Sequence, residues 1–278
     1  MPQASERPRD PTAPSGYLIN KSGPRLVHTI VLATQKGGSG KTTLAIGLAL
    51  AALQAGQNVR MIDTDNQATL SKWQVRRGIA EPVVETVRTA GFIERRLHSF
   101  DRGGVDLTII DTASGVGETT AAAIRACDLC LIPARPTIVD IEATAATLSI
   151  VRACGKLFAF ILNQTPARGQ RVSDAAGTLG ALISDLAEVL AQPFIAMRND
   201  HQDALARGLS VSEYAPSGKS ADEMRNLWQW TQARLERRPV AMPSGMALRT
   251  DRAQTQYQAA VEPPASWRET GLPWDAGL

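Results

Sequence analysis

The sequence is sparing with cysteine, histidine, aromatic residues and charge of one sign. Its 278 residues include three cysteines, three histidines and 5% aromatics. Cys127, Cys130 and Cys154, with no secretory leader ahead of them, argue against a disulfide framework. His28, His98 and His201 lie too far apart for a local metal motif. No apolar run approaches the roughly 18 residues that cross a bilayer; the richest, LAIGLALAAL at 44–53, is far shorter. The opening MPQASERPRDPTAPSG has no apolar core of a signal peptide. A cytoplasmic protein with no membrane partner is therefore expected. The formal charge of +3 is compatible with a nucleic-acid partner without pointing to one.

What the chain does have is alternation. HTIVLATQ, from His28, is a short β-branched run ending in a glycine-rich loop, and KTTLAIGLALAALQAG after it reads as a helix closed by Gly56. NVRMID (58–63), VDLTIID (105–111), CDLCLIPA (127–134), LFAFILN (157–163) and a last short PFIA (193–196) read as strands. Between them, ATLSKWQVRR (68–77), TTAAAIRA (119–126), EATAATLSIVRA (142–153) and SDAAGTLGALISDLAEVL (173–190) read as helices. SADEMRNLWQWTQARLERR (220–238) closes the series, with Ser220 as its cap, Asp222 and Glu223 in the first turn, and Arg237 and Arg238 at the end. Near-continuous apolar strands separated by helices predict an α/β fold: a doubly wound, mostly parallel sheet with helices on both faces. The domain is expected over 28–238, between a flexible N-terminal arm (1–27) and a loosely ordered tail rich in Pro and Gly (239–278).

The glycine-rich loop is the most specific motif. TQKGGSGKTT (34–43) matches the end of the phosphate loop G-x-x-x-x-G-K-[ST] through Gly40, Lys41 and Thr42, but Gln35 stands at its leading glycine. The match is to a variant, K-G-G-x-G-K-[ST]. In such a loop backbone N–H groups cradle phosphates, Lys41 reaches the β/γ-phosphates and the Thr42 hydroxyl binds magnesium. The bland alternative is a glycine turn beside two solvated lysines, and the strand before it and helix after it count against that. Asp63 and Asp65 in MIDTDNQAT, and Asp111 in VDLTIIDTASG, end strands at the edge where ligands bind in such sheets. Asp111 has the position of a carboxylate that holds magnesium. One aspartate at a strand end is often only a turn former; three beside this loop make a site.

These residues resemble the ParA/MinD family of deviant-Walker ATPases, over about 28–238. Besides KGGSGKTT, the resemblance rests on DTDNQAT, IIDTASG and ACDLCLIPARPTIVD, and ALARGLSVSEYAPSGKSADEM is similar to the closing segment of the ParA branch. It implies the deviant Walker A form of the phosphate-loop NTPase fold, with ATP and Mg2+ as cofactors. Gly37, Gly38, Ser39, Gly40, Lys41, Thr42 and Thr43 would hold the nucleotide, Asn163 would contact adenine, and Thr42, Asp63 and Asp111 would organise the metal. Asp65 would position the attacking water. Lys36 would be the signature lysine, reaching across a homodimer formed on ATP binding to the partner's phosphates. Two departures, Asn66 in place of proline and Ala113-Ser114-Gly115 where prolines are frequent, bear on hydrolysis rate and switch geometry more than on binding.

The ParA branch implies a nucleoid-associated ATPase for plasmid or chromosome partition, slow alone and stimulated by a ParB-like partner. Non-specific DNA contacts are expected from among Arg168, Arg171, Arg198, Arg207, Lys219 and Arg225, with Lys219 and Arg225 favoured. With 27 residues ahead of the first strand, site-specific repression is not expected. The same cycle could instead position a protein cargo such as a chemoreceptor cluster or microcompartment. A MinD-like membrane role is disfavoured, because the tail that carries Trp267 and Trp274 is broken by Pro263, Pro264, Gly271 and Pro273. An iron–sulfur role like that of nitrogenase-type iron proteins is disfavoured too: Cys127 and Cys130, three apart in a strand, point to opposite faces.

Overall fold

The structure, a computed structural model, describes residues 27–166, 171–182 and 186–236. The expected N-terminal arm up to residue 26, the C-terminal tail with Trp267 and Trp274, and Arg168 lie outside the described residues.

Six strands form one sheet: β1 (His28–Leu32), β2 (Val59–Asp63), β3 (Val83–Thr86), β4 (Leu107–Asp111), β5 (Leu129–Ala134) and β6 (Leu157–Leu162). Their order is β3-β2-β4-β1-β5-β6, and every neighbouring pair runs parallel. Parallel strands need crossovers, and these are helical. After β1 comes α1 (Lys41–Gln54), after β2 α2 (Thr69–Arg77), after β3 α3 (Ala90–Arg102) and after β4 α4 (Glu118–Ala126). α5 (Ile138–Glu142) and α6 (Thr144–Ala153) lie between β5 and β6. The chain then runs through α7 (Arg171–Leu182), α8 (Leu186–Val189), α9 (Asn199–Ala206), α10 (Val211–Tyr214) and α11 (Lys219–Glu236).

Strand alternation divides the core into two layers. Ile30, Leu32, Met61, Leu107, Ile109 and Ile161 pack with α1 and α11, whereas Val31, Ile62, Ile110, Ile132 and Phe160 pack with α3, α4 and α6. Both faces are covered, which is why LTIID of β4 is buried at every position. α1 is apolar nearly all round because it is sandwiched between sheet and α11. Gly47 makes that approach possible: a Cβ there would lie 2.6 Å from Met224 Cε and Sδ. Among the described residues no helix is long and apolar enough to cross a membrane.

The structure departs from the sequence reading in several places. β3, α3, α5, α9 and α10 fill stretches from which no element is expected. PFIA is no strand: Ile195 N donates to Leu162 O at 3.0 Å, but pairing goes no further than an isolated bridge between Thr165 and Ala196. Pro193 has no N–H to extend it. The helix expected over 173–190 stops at Val189, since Leu190 forms a bridge with Phe160.

Candidate nucleotide site

All six strands end at one edge of the sheet, and the register sets Asp63 of β2 beside Asp111 of β4, which in turn faces Leu32 of β1. The segments that follow β1, β2, β4 and β6 therefore converge. The phosphate loop leaves β1 and turns into α1 through Gly38 (φ 75°) and Gly40 (φ 89°), in a left-handed conformation that residues with a Cβ rarely adopt. Two amides after β6 fix its underside: Asn163 Nδ2 donates to Ser39 O and Gln164 Nε2 to Gly38 O, each at 2.8 Å. With those carbonyls drawn to β6, the N–H groups of Gly37, Gly38, Gly40, Lys41 and Thr42 make no backbone hydrogen bond among the described residues. Such a concave row of donors at a helix N-terminus is an anion site.

Lys41, the first residue of α1, is buried to 7% exposure, and its Nζ donates to Ser114 Oγ at 3.1 Å. Burial lowers its pKa, and the negative charges of Asp111 and Asp65 oppose that shift. Thr42 Oγ1 donates to Asp111 Oδ2 at 2.6 Å. Burial pushes the Asp111 carboxyl up to about 7; the Thr42 hydrogen bond and Lys41 pull it down, and Asp63 and Asp65 push it further up. Asp111 Oδ1 and Ser39 Oγ are buried with no partner among the described residues. A buried carboxylate oxygen without a donor, next to a hydroxyl, is a donor set that fits magnesium.

Asp63 is placed differently. Its Oδ2 accepts from Ser71 N (2.9 Å) and Ser71 Oγ (2.6 Å), and its Oδ1 accepts from Asp65 N (3.0 Å) and faces Arg88 Nη1 (3.3 Å). Both oxygens are committed to protein donors, so Asp63 ties the start of α2 to the loop before it instead of offering an oxygen to a metal. Asp65 is half-buried: its Oδ1 accepts from Gln67 N at 2.9 Å, and its carbonyl accepts from Arg88 Nη1. Asn163 is 5% exposed, and its Oδ1 accepts from Gln164 N. Its amide therefore shapes the loop through both ends. Thr43 borders a small cavity with His201 and Ser210.

Lys36 stands apart from Lys41. Its side chain is 34% exposed, and Nζ lies 3.4 Å from Oδ1 of Asp140, a buried carboxylate also held by Arg135 (3.1 Å) and Thr137. Beside Asp140, Ile138 and Val139 expose 64% and 61% of their surface. Of the cations proposed for DNA, Arg198 is paired with Glu223 and Arg225 with Asp222 (2.5 Å), and Arg207 lies over the Tyr214 ring. Lys219 is exposed at the start of α11 and makes no ion pair with the described residues. Cys127 and Cys130 are buried, and burial pushes both thiols up, Cys127 to about 12, which makes them poor thiolate ligands.

Sequence reasoning missed Ser71, Arg88, Ser114, Asp140 and Gln164. Only Asp140 and Ser114 fall within stretches already singled out by motif. A cavity of about 390 Å³, lined by Thr86, Arg88, Phe92, Arg95 and Arg96 among others, opens near the end of β3. No phosphate-loop residue borders it, so loop chemistry and not concavity places the nucleotide.

A phosphate loop pinned in this way, with one lysine buried at its end and another half-exposed ahead of it, fits the class that the sequence relatives define: a ParA/MinD-type ATPase. The chain belongs to the VirC1 protein family, whose sequence model matches residues 27–191. It is 30% identical to the maintenance of carboxysome distribution protein A of Gloeobacter kilaueensis, over 73% of this chain and 90% of that protein. Among solved structures it is similar to the cell division ATPase MinD of Pyrococcus furiosus (TM-score 0.61, 19% identity, 75% of this chain and 99% of that one). It is also similar to the ATP complex of a McdA variant from Cyanothece (TM-score 0.60, 21% identity, 76% and 97%).

Proposed function

We propose that the chain is an ATPase that dimerises on ATP and magnesium, binds DNA non-specifically in that state, and is released when a ParB-like partner stimulates hydrolysis. The reading rests chiefly on the unlike settings of its two lysines. Lys41 is buried at the start of α1, in the field of Asp111 and Asp65, so it serves the nucleotide of its own chain. Lys36 is half-exposed beside Asp140, which the exposed apolar pair Ile138 and Val139 precedes in sequence, where a second copy can be met.

Thr42 and Asp111 would hold magnesium, which when bound supplies positive charge to the phosphate oxygens. The loop N–H groups and Lys41 orient the chain of phosphates, and Asp65 positions the attacking water. Lys36 leaves Asp140 and contributes its charge in trans. Phosphoryl transfer depends mainly on such positioning and charge neutralisation. Hydrolysis by the protein alone is slow, consistent with a bound state that persists until a partner arrives.

Lys41→Ala abolishes nucleotide binding measured by calorimetry. Lys36→Ala retains it but loses the ATP-dependent shift from monomer to dimer in light scattering. Normal dimerisation of Lys36→Ala with ATP would reduce the second lysine to local charge. A second reading, positioning of a protein cargo by the same cycle, draws on the similarity to a carboxysome distribution protein. Affinity capture with the ATP-locked protein separates the two: a ParB-like protein and DNA support partition, whereas an assembly component supports the alternative.

A further inference from the structure

The loop after β4 carries a hydroxyl over the phosphate loop. Ser114 is an exposed residue, yet its Oγ accepts from buried Lys41 Nζ at 3.1 Å. A Cβ built on Gly37 would lie 3.5 Å from the same oxygen, so the hydroxyl stands above the loop's first glycine as well. Its position is held at both ends. Thr112 Oγ1 donates to Leu32 O at 2.8 Å, and Gly115, with φ 99°, donates its N–H to Thr34 O at 3.3 Å. Ser114 thus rides on a bridge between the chain leaving β4 and the chain leaving β1.

An ammonium only donates, so toward Lys41 the hydroxyl acts as acceptor and keeps its own proton. No acceptor for that proton is found among the described residues. A phosphate oxygen bound by the same ammonium is an acceptor of the right kind, in the right place. Which phosphate follows from the neighbours. The loop of Ser114 begins at Asp111, which shares a hydrogen bond with Thr42, and this pair marks the magnesium end of the site, between the β- and γ-phosphates.

We infer that Ser114 is a specificity-determining residue whose hydroxyl donates to the terminal phosphate of ATP, so that it distinguishes the triphosphate from the diphosphate. The inference deepens the proposed ATPase reading and rests on it. It also gives the segment 112–117 a reason to respond to nucleotide state: the hydrogen bond forms with ATP and has no acceptor with ADP.

The test is calorimetric titration of the full chain with ATPγS and with ADP, both with magnesium. A hydrogen bond to a charged acceptor predicts that Ser114→Ala loses about tenfold in affinity for ATPγS and stays within about twofold for ADP. Ser114→Thr, which keeps the hydroxyl, restores the preference. Equal changes for the two nucleotides, no change, or tighter ATPγS binding by Ser114→Ala overturns the inference while leaving the ATP site in place. If Lys41→Ala binds both nucleotides like the unaltered protein, the site itself is misread, and the role of Ser114 falls with it. A far-ultraviolet dichroism melt shows that each variant is folded.

Discussion

Gly40 is the residue at which the phosphate loop tolerates least. Its φ of 89° disfavours any side chain, and a Cβ would lie 2.2 Å from Asn163 Nδ2. Gly40→Ala is expected to lower stability by about 2–4 kcal/mol from the combined backbone strain and clash, and to lose nucleotide binding. Adding Asn163→Ala removes the clash but not the strain, so the double variant recovers part of the melting temperature and none of the binding. A Gly40→Ala protein that melts and binds normally would show that the loop is built otherwise. Residues such as Gly40, Lys41 and Asp111 could be read from the sequence because the phosphate loop is a local motif and the carboxylate ends an apolar strand. Arg88, Ser71 and Gln164 could not, because each acquires meaning from a partner that only the fold supplies. Asp63 shows the converse: its place at a strand end suggested a metal ligand, but Ser71, eight residues later, takes the oxygen.

At the scale of elements, α2 and α10 are clamped together. Arg77 Nη1 and Nη2 reach the two Glu213 oxygens at 2.8 and 2.6 Å, with Arg77 5% exposed and lying over the Trp73 ring. Removing one partner strands the other charge, so Arg77→Met is expected to cost about 3 kcal/mol in a denaturant titration. The pH dependence carries a sign. Burial pushes the Glu213 carboxyl up, but its bonds to Arg77 and Ser210 outweigh that and hold it below the usual value. Its contribution is therefore present above the unfolded-state value, about 4.3, and lost as pH falls through the folded one. The stability gap between the unaltered protein and Arg77→Met should be steady at neutral pH and narrow below about pH 4. A gap constant across this range would mean that the pair contributes through packing alone. The central strands were legible because β4, buried at every position, is a continuous apolar run. β3 was not: it is a four-residue edge strand, partly exposed and preceded by Pro82. α3 carries Ile93, Leu97 and Phe100 at helical spacing, a signal that was present but weakened by the charges around it.

At the scale of the molecule, the modest net charge means that any DNA contact must come from local cations. Arg198 and Arg225 have carboxylate partners that offset their pull on phosphates, which leaves Lys219 the strongest of the three candidates. DNA association in the ATP state should weaken linearly in log–log plots against salt, and Lys219→Ala should reduce the slope by about one. Binding that ignores salt, or is equal without ATP, would remove DNA from the function. The fold class was readable from alternation alone. Strand order was not, because a parallel sheet places each strand by crossover and not by adjacency in sequence.

The hydrogen bond from Asn163 to Ser39 spans 124 positions. A chain emerging from the ribosome thus displays its whole lysine and glycine motif long before β6, the strand that props it, has been made. Until then nothing holds the loop, and the closure entropy of the long intervening segment is lost only when that contact forms. Nascent chains arrested before residue 157 should carry the complete motif yet retain no nucleotide, and those arrested well beyond residue 164 should do so.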